Sequence, residues 1–242
     1  MRKIDRSGSN MKLEAKGIRR QFFRNGKNTN WFNAVETTDF TLEEGRITEI
    51  LGRSGSGKTT LSHMLAGLLT PTEGTVLLEG QDLYAMSDGE RSRLRNRHIG
   101  VIPQGQTGLK SLTVLEKVLA PVLMYEDPRE SEAYARELLE KMEIAELGDV
   151  YANELSGGEL RRMAVARALI RKPGILIADE PTGDLDNETT GLVLGLFRSL
   201  AEEGTAILMV THDEEAFGYA DRIYRMEKGV LKPEKYLIKK GL

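Results

Sequence analysis

The stretch GRSGSGKTT, residues 52–60, leaves this chain few ways to fold. It fits the pattern G-x-x-x-x-G-K-[ST], with Gly52, Gly57, Lys58 and Thr59 at the fixed positions. A β-like run, GRITEILG (45–52), precedes it and an apolar helical segment, LSHMLAGLL, follows, which is the context the pattern requires. Gly52, Gly55 and Gly57 let the backbone curl so that its amides converge on phosphate, with Ser54, Ser56 and Thr60 completing the loop. The start of the helix adds roughly half a positive charge. Lys58 supplies a full charge near the β and γ phosphates, and the Thr59 hydroxyl can ligate Mg²⁺. The expectation is a strand–loop–helix unit that holds a nucleoside triphosphate.

The rest of the chain suits such a unit. Its 242 residues fit one large domain, or a domain with a small appendage. Apolar residues at 40% and charged residues at 29% describe an ordinary globular composition. A formal charge of −3 offers no basic footprint for nucleic acid, so no nucleic-acid partner is expected. The absence of cysteine excludes disulfides, thiolate zinc sites and cysteine nucleophiles. No run approaches the ~20 apolar residues that span a bilayer. Residues 1–10, polar throughout, read as a flexible extension, and a cytoplasmic location is expected.

Short β-like runs alternate with helical ones, which predicts an α/β domain with a largely parallel core sheet. AVETTDFTL (34–42) and TVLLEG (75–80) read as strands. HIGVIP (98–103), GILIAD (174–179) and TAILMV (205–210) read as buried strands, and DRIYRM (221–226) as a further one. Residues 112–150 differ, reading as a helical insertion. Asp127, Pro128 and Glu130 form a helix start, and Leu138, Leu139 and Met142 recur at helical spacing.

Several strand ends carry polar groups suited to hydrolysis. GILIADEP ends in Asp179, placed to hold Mg²⁺, and Glu180, placed to accept a proton from attacking water. His212 follows the strand in LMVTHDE and is positioned for a γ-phosphate hydrogen bond. Gln104, ending GVIPQ, can orient a water or complete a metal shell. LSGGELRR (155–162) places two glycines in the first turn of a helix, where each costs roughly 1 kcal/mol relative to alanine. Ser156 and Glu159 have capping-box spacing. The glycines themselves imply a close approach from outside the helix.

Together these segments resemble the nucleotide-binding subunit of ATP-binding cassette (ABC) transporters, over residues 12–231. GRSGSGKTT resembles the Walker A motif, VIPQ the Q-loop, LSGGE the signature, ILIADE Walker B, GDLD (183–186) the D-loop, and VTHD the switch histidine segment. The resemblance implies a P-loop NTPase core with a mainly parallel sheet, an N-terminal antiparallel β region, and a helical subdomain at about 105–165 carrying the signature. It further implies ATP and Mg²⁺ as cofactors and a head-to-tail homodimer. Ser156, Gly157, Gly158 and Asp186 would then serve the partner's nucleotide. Thr59, Gln104 and Asp179 would hold the metal, and Phe22, with Phe23 as second choice, would stack on adenine. In place of the commoner QQQR, this chain has ELRR, so Glu159 adds a negative charge and Arg161 is extra. The order LYAMSDGERSRLRNRHIGVIPQ then SLTVLEKVLAPVL is similar to the lipoprotein-release, macrolide-efflux and cell-division group. That implies a separate membrane-spanning permease with few spanning helices, contacted by residues 105–125, which would hold this chain at the inner face of the membrane. An iron–sulfur assembly ATPase and a non-transporting signalling ATPase remain as alternatives. A DNA-repair ATPase would need a coiled-coil insertion or zinc-binding cysteines, which this chain lacks.

Overall fold

The computed structural model describes residues 11–24, 30–105, 111–212 and 214–234. The N-terminal extension expected at 1–10 lies outside them. In chain order the elements are β1 (Met11–Arg24), β2 (Asn30–Glu43), β3 (Ile47–Leu51), α1 (Lys58–Leu65), β4 (Glu73–Leu78) and β5 (Gln81–Asp82). Then come α2 (Asp88–His98), β6 (Ile99–Ile102), α3 (Val114–Leu123), α4 (Glu132–Lys141) and α5 (Gly157–Leu169). β7 (Ile175–Asp179), α6 (Asn187–Glu202), β8 (Ala206–Thr211), β9 (Arg222–Glu227) and β10 (Val230–Pro233) complete the chain.

Every strand of the main sheet was read from the sequence except β10, but β9, read as buried, buries only Met226 because it lies next to the sheet edge. That sheet has the order β10-β9-β3-β8-β7-β6. It is parallel from β9 to β6, with β10 antiparallel at the edge. β3, β7 and β8 are buried along their whole length, as parallel strands covered on both faces must be. One face packs on α1 and the second sheet, around Leu61, Met64, Leu65, Ile50 and Leu208. The other packs on α3–α6, around Val118, Leu139, Val165 and Phe197.

The second sheet is antiparallel, in the order β2-β1-β4-β5. β1 carries no clean alternation in sequence because its register shifts between Ala15 and Ile18. Gly17 sits there at φ 57, its amide donating to Asp39 Oδ1 at 2.7 Å. The bulge moves the buried positions from Leu13 and Ala15 to Ile18, breaking the period of two. Within the region expected to be helical, the start foreseen at Asp127 is a 3₁₀ turn, Pro128–Ser131, and the α-helix proper begins at Glu132. Asp127 caps that turn by accepting from the Arg129 amide. Leu138, Leu139 and Met142 are buried, as their spacing implied.

Candidate active site

In a parallel sheet, ligands bind beyond the carboxyl ends of the strands. The neighbours β3, β8, β7 and β6 end there in the Gly52–Thr60 loop, His212, Asp179–Glu180 and Gln104, respectively. One cleft of about 770 Å³ is lined by loop residues 53–60 together with Gln104, Asp179, Glu180, His212 and Phe22. These candidates, scattered over nearly 200 positions of sequence, therefore share one cavity.

Two of the loop's three glycines answer to the chain around them. α1 begins at Lys58, and its N-cap Gly57 has φ 110 and ψ 0. A Cβ on Gly57 would stand 2.1 Å from the Ala34 carbonyl oxygen, and one on Gly52 would stand 2.3 Å from that of Met226. Gly52 itself is not in the lining of the cleft, so its part is to seat the loop against Met226. Gly55 differs from both. It lines the cleft at φ 76, and a Cβ there would meet nothing within 4 Å among the described residues. Gly55 is therefore required by the left-handed turn of the loop and not by a close neighbour. The turn between β9 and β10 locks the loop, with the Gly229 amide donating to the Ser56 carbonyl at 2.8 Å. Lys58 is buried, and its Nζ donates to the Gly52 carbonyl at 2.5 Å.

Asp179 is 3% exposed, and its Oδ2 is buried without a hydrogen-bond partner among the described residues. Burial raises its carboxyl above the ordinary range, opposed by a hydrogen bond from the Thr59 hydroxyl. An unsatisfied carboxylate oxygen beside a threonine hydroxyl fits a divalent cation that takes only one or two protein ligands and shares the phosphates. Gln104, which is exposed, lines the same cleft.

Glu180 is held under constraint. Its φ is 52, unusual for a side-chain-bearing residue, and its amide donates to the Val210 carbonyl at 2.7 Å. The buried carboxylate accepts from Thr211 Oγ1 at 3.2 Å and meets His212 Nδ1 at 2.9 Å. The His212 side chain is otherwise exposed. With Nδ1 directed at Glu180, Nε2 is the ring atom left for a phosphate contact.

At the far end of the cleft, Phe22 lies opposite Phe32 in the β1–β2 ladder, with ring centroids 6.0 Å apart. Arg20 lies over the Phe22 ring and Arg24 over that of Phe32. Both phenylalanines line the cleft. Phe23 does not; it pairs with Trp31, away from the cleft. Phe32 escaped the sequence reading because only the hairpin register brings it beside Phe22. Lys228, at φ 48, was missed because only the packing of the β9–β10 turn on the phosphate loop brings it to the cleft.

The signature residues lie elsewhere. Ser156 caps α5 in a full capping box: the Glu159 carboxylate accepts from the Ser156 amide and hydroxyl, each at 2.7 Å. Gly157 and Gly158 line a separate cleft of about 560 Å³ with Asp184 and Asp186, and no residue is common to the two clefts. Asp186 caps α6 by accepting from the Thr189 amide at 2.8 Å.

A family model for the ABC transporter matches residues 35–183, more than half of the chain. The chain belongs to the ABC transporter family. It is accordingly an ABC ATPase, and its relatives agree. The lipoprotein-releasing system ATP-binding protein LolD of Xanthomonas campestris pv. campestris (strain 8004) is 41% identical over 196 residues, 80% of this chain and 82% of that protein. LolD of Chromohalobacter salexigens is 38% identical over 221 residues, 90% of this chain and 92% of that one. Among solved structures, the dimeric ABC cassette MJ0796 superposes with a TM-score of 0.85 at 29% identity, covering 93% of this ABC ATPase and all of that chain. A dimeric post-hydrolysis structure of the same cassette, bound to ADP and Pi, matches equally well.

Proposed function

We infer that this ABC ATPase pairs head to tail with a second copy around two ATP molecules and powers a separate membrane permease. The observation that carries this reading is a contrast between glycines. At Gly52 and Gly57 the chain's own backbone forbids a Cβ. At Gly157 and Gly158 nothing among the described residues stands closer than 3.4 Å to one, and neither has positive φ. Each still costs α5 roughly 1 kcal/mol relative to alanine. The reason for them therefore lies outside the chain, and a triphosphate carried by a second protomer fits it. The start of α5 offers that triphosphate the bare amides of Gly157 and Gly158 and the positive end of a helix dipole, and the Ser156 hydroxyl would join them on turning from Glu159.

Within one chain, Phe22 and Phe32 stack on the base, while the loop amides and Lys58 hold the phosphates. Magnesium held by Thr59 and Asp179, with Gln104 beside it, would neutralise phosphate charge. Glu180 takes a proton from the attacking water, and His212 both orients that carboxylate through Nδ1 and reaches the γ-phosphate through Nε2. Closure over the γ-phosphate favours the dimer, and its loss on hydrolysis removes that preference.

The permease reading draws support from a groove of about 300 Å³ between the main sheet and α3. Leu68 and Met124, 48% and 69% exposed, line it together with Arg95 and Arg171. Part of the contact segment expected at 105–125 lies outside the described residues. No helix among the described residues is long and apolar enough to cross a membrane, so an inner-face position would come through the permease. The LolD relatives support extraction or export of a lipophilic, peptide or lipoprotein-like cargo.

The test is the E180Q variant. It should bind Mg-ATP, turn over at least about 10²-fold more slowly, and elute as a dimer on size exclusion with Mg-ATP but not with Mg-ADP. A monomer under both conditions would count against the head-to-tail pair. Release of a lipid-anchored protein from vesicles containing the permease would test the cargo.

A further inference from the structure

Two consecutive arginines near the start of α5 address different neighbours, since successive helical residues lie about 100° apart. Arg162 Nη1 donates to the carbonyls of Met142 and Glu143, both at 3.0 Å, tying α5 to the end of α4. Arg161 turns inward and is 8% exposed. Its Nη1 donates to the Pro103 carbonyl at 3.0 Å. That carbonyl belongs to the peptide leading into Gln104, which lines the nucleotide cleft. On the other side, Arg161 Nη2 lies 3.6 Å from where a Cβ on Gly183 would stand. The Gly183 amide closes a turn on the Glu180 carbonyl at 3.2 Å. A cavity of about 50 Å³ lined by Arg161 is bordered also by Gly105, Gly157 and Asp184, so the two loops and the start of α5 meet there.

Desolvating a guanidinium is expensive. A glutamine at this position, the commoner residue in the motif that LSGGELRR resembles, could reach a carbonyl without that cost. What arginine adds is length and a rigid plane of donors able to span two loops at once. We propose that Arg161 is a positioning residue for hydrolysis: it holds the Pro103 carbonyl against α5, so fixing Gln104, and backs the turn that follows Glu180. The placement of α5, whose start faces outward, is thereby passed to the chain's own nucleotide cleft. The inference rests on the reading of Gln104 as a nucleotide-site residue.

A double-mutant cycle on the full-length chain tests it, with R161M, Q104A and the double variant compared for kcat at saturating Mg-ATP, nucleotide Kd and Tm. R161M should lower kcat about tenfold, a small displacement of a reacting geometry being enough for that. Its Tm and Kd should match the unsubstituted protein, and amide exchange at Gln104 and Gly105 should quicken. In the Q104A background the same substitution should cost less than about twofold, because residues acting as a unit are not additive. R161Q, which keeps a donor, should recover part of the rate and replaces R161M in the cycle if the methionine variant fails to fold. An R161M protein as fast as the original, or one slowed by the same factor with and without Gln104, overturns the proposal. A Q104A protein of undiminished rate would instead remove the reading of Gln104, and the role of Arg161 with it.

Discussion

At the scale of single residues, the glycines divide into those the fold demands and those it merely tolerates. Gly57→Ala should be severely destabilising and should abolish nucleotide binding, since its Cβ would overlap the Ala34 carbonyl at a φ of 110. Gly157→Ala meets no such obstacle, and should gain about 0.5 kcal/mol in urea denaturation by restricting the unfolded chain. Its ATPase rate should nevertheless fall while the subunit's nucleotide affinity holds. A Gly157→Ala protein with undiminished turnover would mean that nothing approaches the start of α5. The same scale explains why Glu180 was legible as a strand-end carboxylate while its constraint was not. The sequence pattern marks a carboxylate at a strand end, but the positive φ and the bonds from Thr211 and His212 come from the neighbouring strand β8.

At the scale of elements, the capping box on α5 links stability to function. Ser156→Ala should cost about 1 kcal/mol, read as a lower urea midpoint. Glu159 has its carboxyl held below the ordinary range, first by the Ser156 hydroxyl and then by the Ser156 amide. A depressed carboxyl stabilises the fold fully above its unfolded pKa of about 4.3 and loses that contribution as the pH falls through the lower folded value. The stability difference between the original chain and Glu159→Gln should therefore narrow below about pH 4, measured by denaturation at pH 7 and in acid. Because Glu159 sets a negative charge beside Ser156–Gly158, Glu159→Gln should also tighten the proposed ATP-dependent dimer, observable by size exclusion in the E180Q background. The capping box was legible from four residues. The β1 strand was not, because the bulge at Gly17 shifts the phase of its buried positions partway along.

At the scale of the whole molecule, the proposed function divides between two clefts and a groove that share no lining residue. Met124→Asp places a charge on the most exposed apolar side chain of the groove. It should leave the ATPase rate of the subunit alone unchanged and prevent co-purification with the permease. Retention of the permease would locate the contact elsewhere. In the proposed head-to-tail pair, the separation of Ser156–Gly158 from the Gly52–Thr60 loop would give one chain half of each composite site.

The linear order of residues settled most of the strands, the phosphate loop, the strand-end acids and the capped start of α5, because each depends on a few neighbouring positions. Tertiary structure alone decided that Phe32 stands beside Phe22, that Phe23 turns away, and that Arg161 reaches Pro103 and the turn after Glu180. It also decided which loop glycines are pressed by a neighbour, Gly52 and Gly57, and which is not, Gly55. Those relations depend on strand register and on the packing of distant loops, and no local periodicity encodes either.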